Sequence, residues 1–265
     1  MHAPGTKPPS PPAPHQRRPR PGAAARAAVV LGLLGAVLLV LVAVSWAPLM
    51  SFDRSVAEAL HRRAVEEPGL VHVNRILTDW VWDPWTMRAL IAVVVLWLWW
   101  RREWLLGSWI AGTVALGTVL QQTMKAAVGR KRPSWPDPVD SAHFAAFPSG
   151  HAMTAVVALG LLLWLLRRHG TGGPVWGWSV AVAAVSVAGV GYTRLYLGVH
   201  WPTDVLGGWL FGAWWVALSV ALYPWAERTW GRPHDDGGGA PEHPRGGGQS
   251  KETGRKDSGQ AGDPP

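Results

Sequence analysis

Three short clusters in this sequence hold residues able to grip and attack an anion. The first is Lys125 to Pro133, reading Lys-Ala-Ala-Val-Gly-Arg-Lys-Arg-Pro. Taken alone, so dense a basic run reads as a solvated loop or a topology signal. The second, Pro148-Ser149-Gly150-His151, stands directly before a long apolar run. Serine at a helix start ordinarily caps it, yet free backbone N–H groups beside a glycine also make an anion site. The third is Thr193-Arg194, then Leu-Tyr-Leu-Gly-Val, then His200-Trp-Pro-Thr-Asp204. Pro202 suits the first turn of a helix, which sets His200 just before that helix and Asp204 about one turn inside it. A carboxylate so placed can accept from one imidazole nitrogen and leave the other free to attack. It reads equally as a charge favoured by the helix dipole, with His200 an interfacial residue.

These clusters need elements that bring them together, and the composition points to helices in a bilayer. Hydrophobic residues are 48% of the chain and charged residues 16%, and the apolar residues form long blocks separated by basic groups. A span needs roughly 20 apolar residues, fewer where flanking side chains snorkel. Six segments qualify, at about Ala27–Ala47, Trp85–Trp100, Trp104–Met124, Ala152–Leu166, Val175–Gly191 and Val205–Trp225. The first is too long for the apolar region of a signal peptide and reads as a retained anchor. Asp83 and Pro84 form a start signal for the second, within which Arg88 must snorkel or face protein. Trp46, Trp85, Trp100, Trp104, Trp201 and Trp225 fall near segment ends, where interfacial rings belong. Between the first two spans, Asp53 to Val65 predicts a short amphipathic helix with Val56, Leu60 and Val65 on one side and no catalytic pattern. Gly112, Ala115 and Gly117 suit close helix packing.

The expected fold is therefore all-α, a polytopic bundle of six transmembrane helices over residues 25–230. Residues 1–24, rich in Pro and Arg, and 231–265, rich in Gly and Pro, are expected to be disordered cytoplasmic tails. The absence of cysteine excludes a disulfide framework, a thiolate nucleophile and a Cys-ligated metal. The formal charge of +8 sits largely beside apolar segments. It reads as topology and lipid headgroup contact, with the bilayer as partner, rather than as nucleic-acid binding. Asp137, Asp140 and His143 can be drawn as a metal site, but their spacing matches no common ligand motif.

Taken together, Lys125 with Arg132, Ser149-Gly150-His151, and Arg194 with His200 and Asp204 resemble, in order and spacing, the three signatures of the type 2 phosphatidic acid phosphatase superfamily. Those read Lys-x6-Arg-Pro, Pro-Ser-Gly-His and Ser-Arg-x5-His-x3-Asp. The resemblance spans about Ala27 to Trp230, and Thr193 departs from it, standing where the pattern has serine. It implies a membrane phosphatase acting on a lipid phosphate or diphosphate without a metal or other cofactor. His200 would attack phosphorus, His151 protonate the leaving alkoxide and Asp204 orient His200. Lys125, Arg132, Ser149, Gly150 and Arg194 would hold the phosphate, and residues 134–147 would touch the leaving group. Soluble vanadate-dependent haloperoxidases share such a pocket by family analogy, and the six spans argue against that class. A lipid-phosphate binder or transporter that keeps the pocket without turnover is the other class, and the presence of His151, His200 and Asp204 argues for an enzyme. The substrates to weigh are a polyprenyl diphosphate such as undecaprenyl diphosphate, phosphatidic acid, phosphatidylglycerophosphate and a sphingoid phosphate. A cytoplasmic N-terminus puts four arginine clusters inside and the site outside, as the positive-inside rule prefers.

Overall fold

The computed structural model describes residues 22–231. The two expected tails lie, but for their inner edges, outside the described residues. The described residues form eight α-helices in order: α1 (Ala23–Ala43), α2 (Ala47–Glu66), α3 (Pro68–Ile76), α4 (Pro84–Trp100), α5 (Trp104–Val128), α6 (Gly150–Arg168), α7 (Gly173–Tyr196) and α8 (Pro202–Trp230). No strand occurs among the described residues. Among the described residues six stretches are long and apolar enough to cross a membrane, five of them single helices and the other running from Pro68 to Trp100. Their outward faces carry bare apolar side chains, such as Val29, Leu33 and Val37 on α1 and Val182 and Val185 on α7. So much exposed apolar surface suits lipid as the solvent, and a helix satisfies its own backbone there.

The second span begins earlier than its hydropathy implies. His72, Asn74, Arg75 and Asp79 interrupt the apolar run before Pro84, yet the chain from Pro68 is helical, with one wide π turn at Leu77–Val81. The expected boundary survives as a break inside the span. Asp83 accepts from the backbone N–H groups of Trp85 at 2.6 Å and Thr86 at 3.3 Å, and Pro84 opens α4. Arg88, half-buried on α4, lies with its guanidinium 5.3 Å from the Trp85 ring centre.

Helix α2 also differs from expectation. It runs from Ala47 to Glu66, and the residues it buries are Asp53, Ala57, His61 and Ala64. Val65 is exposed, and Val56 and Leu60 are only half-buried. Val65 lies about 180° round the helix from Val56 at 3.6 residues per turn, so the three form no single stripe, and the face turned to the bundle is instead the row Asp53, Ala57, His61 and Ala64 at helical spacing.

Helix α6 is the centre of the bundle, packed against α4, α5, α7 and α8. Val157, Leu161 and Leu165 of α6 join Met87, Ile91, Val95 and Leu98 of α4, Leu106 and Ile110 of α5 and Tyr223 of α8 in one core. At the site end, α8 comes so close to α6 that a Cβ at Gly208 would lie 2.7 Å from the Ser149 carbonyl oxygen. One at Gly212 would lie 3.0 Å from that of Met153. Small residues permit such backbone approach. Gly117 serves similarly against Trp215, whereas a Cβ at Gly112 would meet nothing within 4 Å, so Gly112 is not the packing residue expected.

Short turns hold the opposite end together. Arg168 pairs with Glu227 at 2.5 Å and His169 approaches Glu103 at 3.6 Å, which gathers the α4–α5 turn, the α6–α7 turn and the end of α8. Arg101, Arg102, Arg167, Arg168 and Arg228 therefore share one end of the bundle. All three chemical clusters lie at the other.

Candidate active site

Four helix ends and one long loop build the site. Helix α5 stops at Gly129, whose φ of 58° is the left-handed conformation that glycine adopts freely and that ends helices. This releases the chain just after Lys125 and lets Arg130, Lys131 and Arg132 leave as an irregular segment. The next two residues of the set, Ser149 and Gly150, start α6. Helix α7 ends just after Arg194, and Gly198, at φ 67°, turns the chain toward His200. Trp135 holds that turn by donating from its indole nitrogen to the Gly198 carbonyl at 2.9 Å.

His200 is buried to 1% exposure and Asp204 to 0%. The imidazole Nδ1 faces Asp204 Oδ2 at 3.4 Å, and Nε2 lies 3.0 Å from Nη1 of Arg132. Arginine only donates, so Nε2 must present its lone pair and the ring proton must sit on Nδ1, toward the carboxylate. Burial, and then Arg132, Arg194 and Lys125 around it, hold the His200 pKa well below the usual imidazole range, while a backbone hydrogen bond with Ala146 acts the other way. The ring is thus neutral near pH 7. Asp204 is itself pinned: Oδ2 accepts from the Trp201 backbone N–H at 2.9 Å and Oδ1 from Arg130 at 2.6 Å.

The cations reach the same spot. Arg132 donates to the carbonyls of Phe144 at 2.9 Å and Val199 at 2.6 Å, and Lys125 donates to that of Ala145 at 2.6 Å. Arg194 is buried at 4% exposure and its Nη1 lies 3.3 Å from the Thr78 hydroxyl, on the π turn, while its Nε has no partner. Ser149 occupies the N-cap position of α6, yet its hydroxyl caps nothing and, fully buried, has no partner either. Buried polar groups left unpaired cost roughly 1–3 kcal/mol each. The two, an arginine nitrogen and a serine hydroxyl, are donors suited to an anion. Gly150 opens α6 with Gln121 so near that a Cβ would lie 2.7 Å from its amide nitrogen. His151 follows, half-buried, on the first turn of α6. The Thr193 hydroxyl donates to the Val190 carbonyl of its own helix at 2.9 Å.

Two charged residues at the site go unmarked by sequence reasoning. Arg130 lies between Asp204 and Asp53, 2.6 Å from each, and its Nη1 is 2.7 Å from the Thr203 hydroxyl. Asp53, buried on α2, also accepts from the Thr203 backbone N–H at 2.9 Å. The available signal is the alternation of Arg130, Lys131 and Arg132: in an irregular segment the outer two turn inward, and Lys131 is exposed. By contrast, the three residues drawn as a metal site do not gather. Asp137 is exposed and approaches His61 at 3.3 Å, Asp140 accepts from the Ser141 backbone N–H, and His143 is exposed.

Comparison with known proteins gives this geometry a family. The family model described as the PAP2 superfamily matches residues 106–228. An undecaprenyl-diphosphatase of Sulfolobus acidocaldarius is 30% identical over 162 residues, which cover 58% of this chain and 68% of that protein. A phosphatidylglycerophosphatase B of Bacillus subtilis is 30% identical over 164 residues, 60% of this chain and 79% of that protein. The crystal structure of a transmembrane PAP2 type phosphatidylglycerolphosphate phosphatase from Bacillus subtilis superposes with a TM-score of 0.65 at 25% identity, covering 75% of this chain and 96% of that one. With its six candidate spans and all three signature clusters at one end of the bundle, this chain belongs to the PAP2 superfamily.

Proposed function

We propose that the chain hydrolyses a lipid phosphate or diphosphate ester through a phosphohistidine on His200. Its family and the phosphatases it resembles make it a membrane lipid phosphatase, and the His200 geometry carries the mechanism. A buried, neutral imidazole presents its Nε2 lone pair beside Arg132, with its other nitrogen toward Asp204. In the first step the Arg132 guanidinium turns from Nε2 to the phosphoryl oxygens, the freed Nε2 attacks phosphorus, the P–N bond forms and the P–O bond to the leaving group breaks. His151 gives its proton to the departing oxygen, an alkoxide or, from a diphosphate, a phosphate. In the second step water attacks phosphorus, loses a proton to His151 and breaks the P–N bond, returning His200 and releasing inorganic phosphate. Lys125, Arg132, Arg194, the Ser149 hydroxyl and the Gly150 backbone N–H meet the charge spread over the phosphoryl oxygens. These fixed cations take the part that a metal ion plays in other phosphoryl transfers.

The names of the relatives support the choice of lipids, one being named for undecaprenyl diphosphate and others for phosphatidylglycerophosphate. Prenyl diphosphates and glycerophospholipid phosphates are the substrates to try first. Phosphate release by the purified full chain from each, with and without EDTA, tests the reading. Turnover that survives EDTA and competitive inhibition by vanadate, which adopts the five-coordinate shape of the transition state, are the expected results. A strict requirement for added magnesium would overturn the metal-free mechanism.

A further inference from the structure

Resting on the reading of His200 as the attacking group, we infer that Asp53 and Arg130 are positioning residues of the same reaction. Through the buried chain Asp53–Arg130–Asp204 they set how much negative charge Asp204 presents to His200.

The geometry is specific. One guanidinium spans two carboxylates, Nη2 on Asp53 Oδ2 and Nη1 on Asp204 Oδ1, each at 2.6 Å. The carboxylate side chains are 1% and 0% exposed and that of Arg130 11%. Thr203 closes the network: its backbone N–H donates to Asp53 Oδ1 at 2.9 Å and its hydroxyl contacts Asp53 Oδ2 at 2.5 Å. Asp53 thus satisfies a free N–H at the start of α8 from another helix, one residue before Asp204. Burying a salt bridge gains little stability against the hydrophobic alternative, so three charges placed here call for an electrostatic reason. With Asp53 ionised the chain sums to one negative charge, and Arg130 is divided between two partners. Without the charge of Asp53, Arg130 acts on Asp204 alone and the carboxylate offers His200 less. Without Arg130, both carboxylates stand uncompensated beside the imidazole.

The other charged or titratable groups around His200 are Lys125 at the end of α5, Arg132 in the loop, His151 on α6 and Arg194 on α7. All are left untouched by the variants below, so a change in the pH profile reports on the chain itself. The backbone contact of Asp53 can be separated from its charge. Asn at this position keeps an oxygen for the Thr203 N–H, while it removes the charge and puts an NH2 where Oδ2 accepts from Arg130 and the Thr203 hydroxyl, which releases Arg130 toward Asp204.

The experiment measures kcat and KM against pH for phosphate release from a prenyl diphosphate by the full chain in detergent. Asp53→Asn is expected to lower kcat roughly ten- to hundredfold, by analogy with the loss of groups that orient metal-bound histidines, with KM nearly unchanged. Its acid limb should move to lower pH by on the order of one unit. Arg130→Gln should move the limb the opposite way, and Arg130→Lys, which keeps the charge, should return it toward wild type. The substrate's own ionisation is common to every profile and drops out of the comparison. If Arg130→Gln does not fold, Asp53→Asn and Arg130→Lys decide. Folded variants with the wild-type limb and kcat would overturn the inference, as would shifts of both in one direction. His200→Ala in the same assay separates the two readings: activity there sinks the phosphohistidine, whereas a dead His200→Ala beside unaltered Asp53→Asn and Arg130 variants sinks only this proposal.

Discussion

At the scale of single residues, His200 unites the observations, because in the proposed reaction its protonation decides whether it can attack. Its neutral form is favoured by burial and by three cations, so turnover should require no deprotonation near pH 7. The same depression has a consequence for stability. An unfolded chain binds a proton at this histidine near pH 6.5, while the folded one resists it. Stability is therefore full above about pH 6.5 and falls as pH drops below it, where the unfolded state binds more protons. Thermal unfolding in detergent between pH 7.5 and 5 should show this decline, and His200→Gln, which cannot titrate, should flatten part of it. An identical slope in the variant would mean that His200 contributes nothing. On activity, His200→Ala should cost at least about a thousandfold in kcat, and Asp204→Asn also orders of magnitude, by loss of the oriented tautomer. Steady-state phosphate release by folded, purified variants checks both.

At the scale of elements, the site depends on how closely the starts of α6 and α8 can approach. The Ser149 backbone N–H donates to the Asp204 carbonyl at 2.9 Å, so the two helix starts are tied at the site. Gly208 leaves no room for a Cβ between them. Gly208→Ala must push α8 away, and since a misplacement of about 1 Å costs on the order of a hundredfold in rate, kcat should fall by at least about tenfold. Gly112→Ala, facing open space on α5, is the matched control, and there alanine should leave kcat alone and stabilise slightly. Equal losses in the two variants would show that the effect is general rather than local to the α6–α8 contact.

For the whole molecule, the question is which side of the membrane the site faces. Arg101, Arg102, Arg167, Arg168 and Arg228 share the end opposite His200, and the positive-inside rule assigns that end to the cytoplasm. Lys125, Arg130, Lys131 and Arg132 oppose it by count, but all except the exposed Lys131 have a partner at the site. Cysteine is absent from the chain, so single cysteines can be read cleanly. Ser134→Cys, on the exposed loop by the site, should react with a membrane-impermeant thiol reagent on intact cells, and Ser250→Cys should not. The reverse labelling would put dephosphorylation on the cytoplasmic leaflet.

The sequence by itself determined that there are six spans and which clusters to propose as the site, because both are local. Hydropathy is summed along the chain, and Asp83-Pro84, Ser149-Gly150 and His200 to Asp204 lie at helix starts where a few neighbouring residues dictate the backbone. Spacing alone places Asp204 one turn beyond His200. Tertiary structure decided which of these groups meet and through what. Asp53 and Thr203 stand 150 residues apart, and nothing local in the row Asp53, Ala57, His61, Ala64 tells a buried face from a wet one. Ser149 looks like a cap in sequence, and only the packed helix shows its hydroxyl unpaired. Arg130 looked like one more loop charge until the fold closed it between two carboxylates. Its role depends on contacts with α2 and α8, which hydropathy and spacing do not encode.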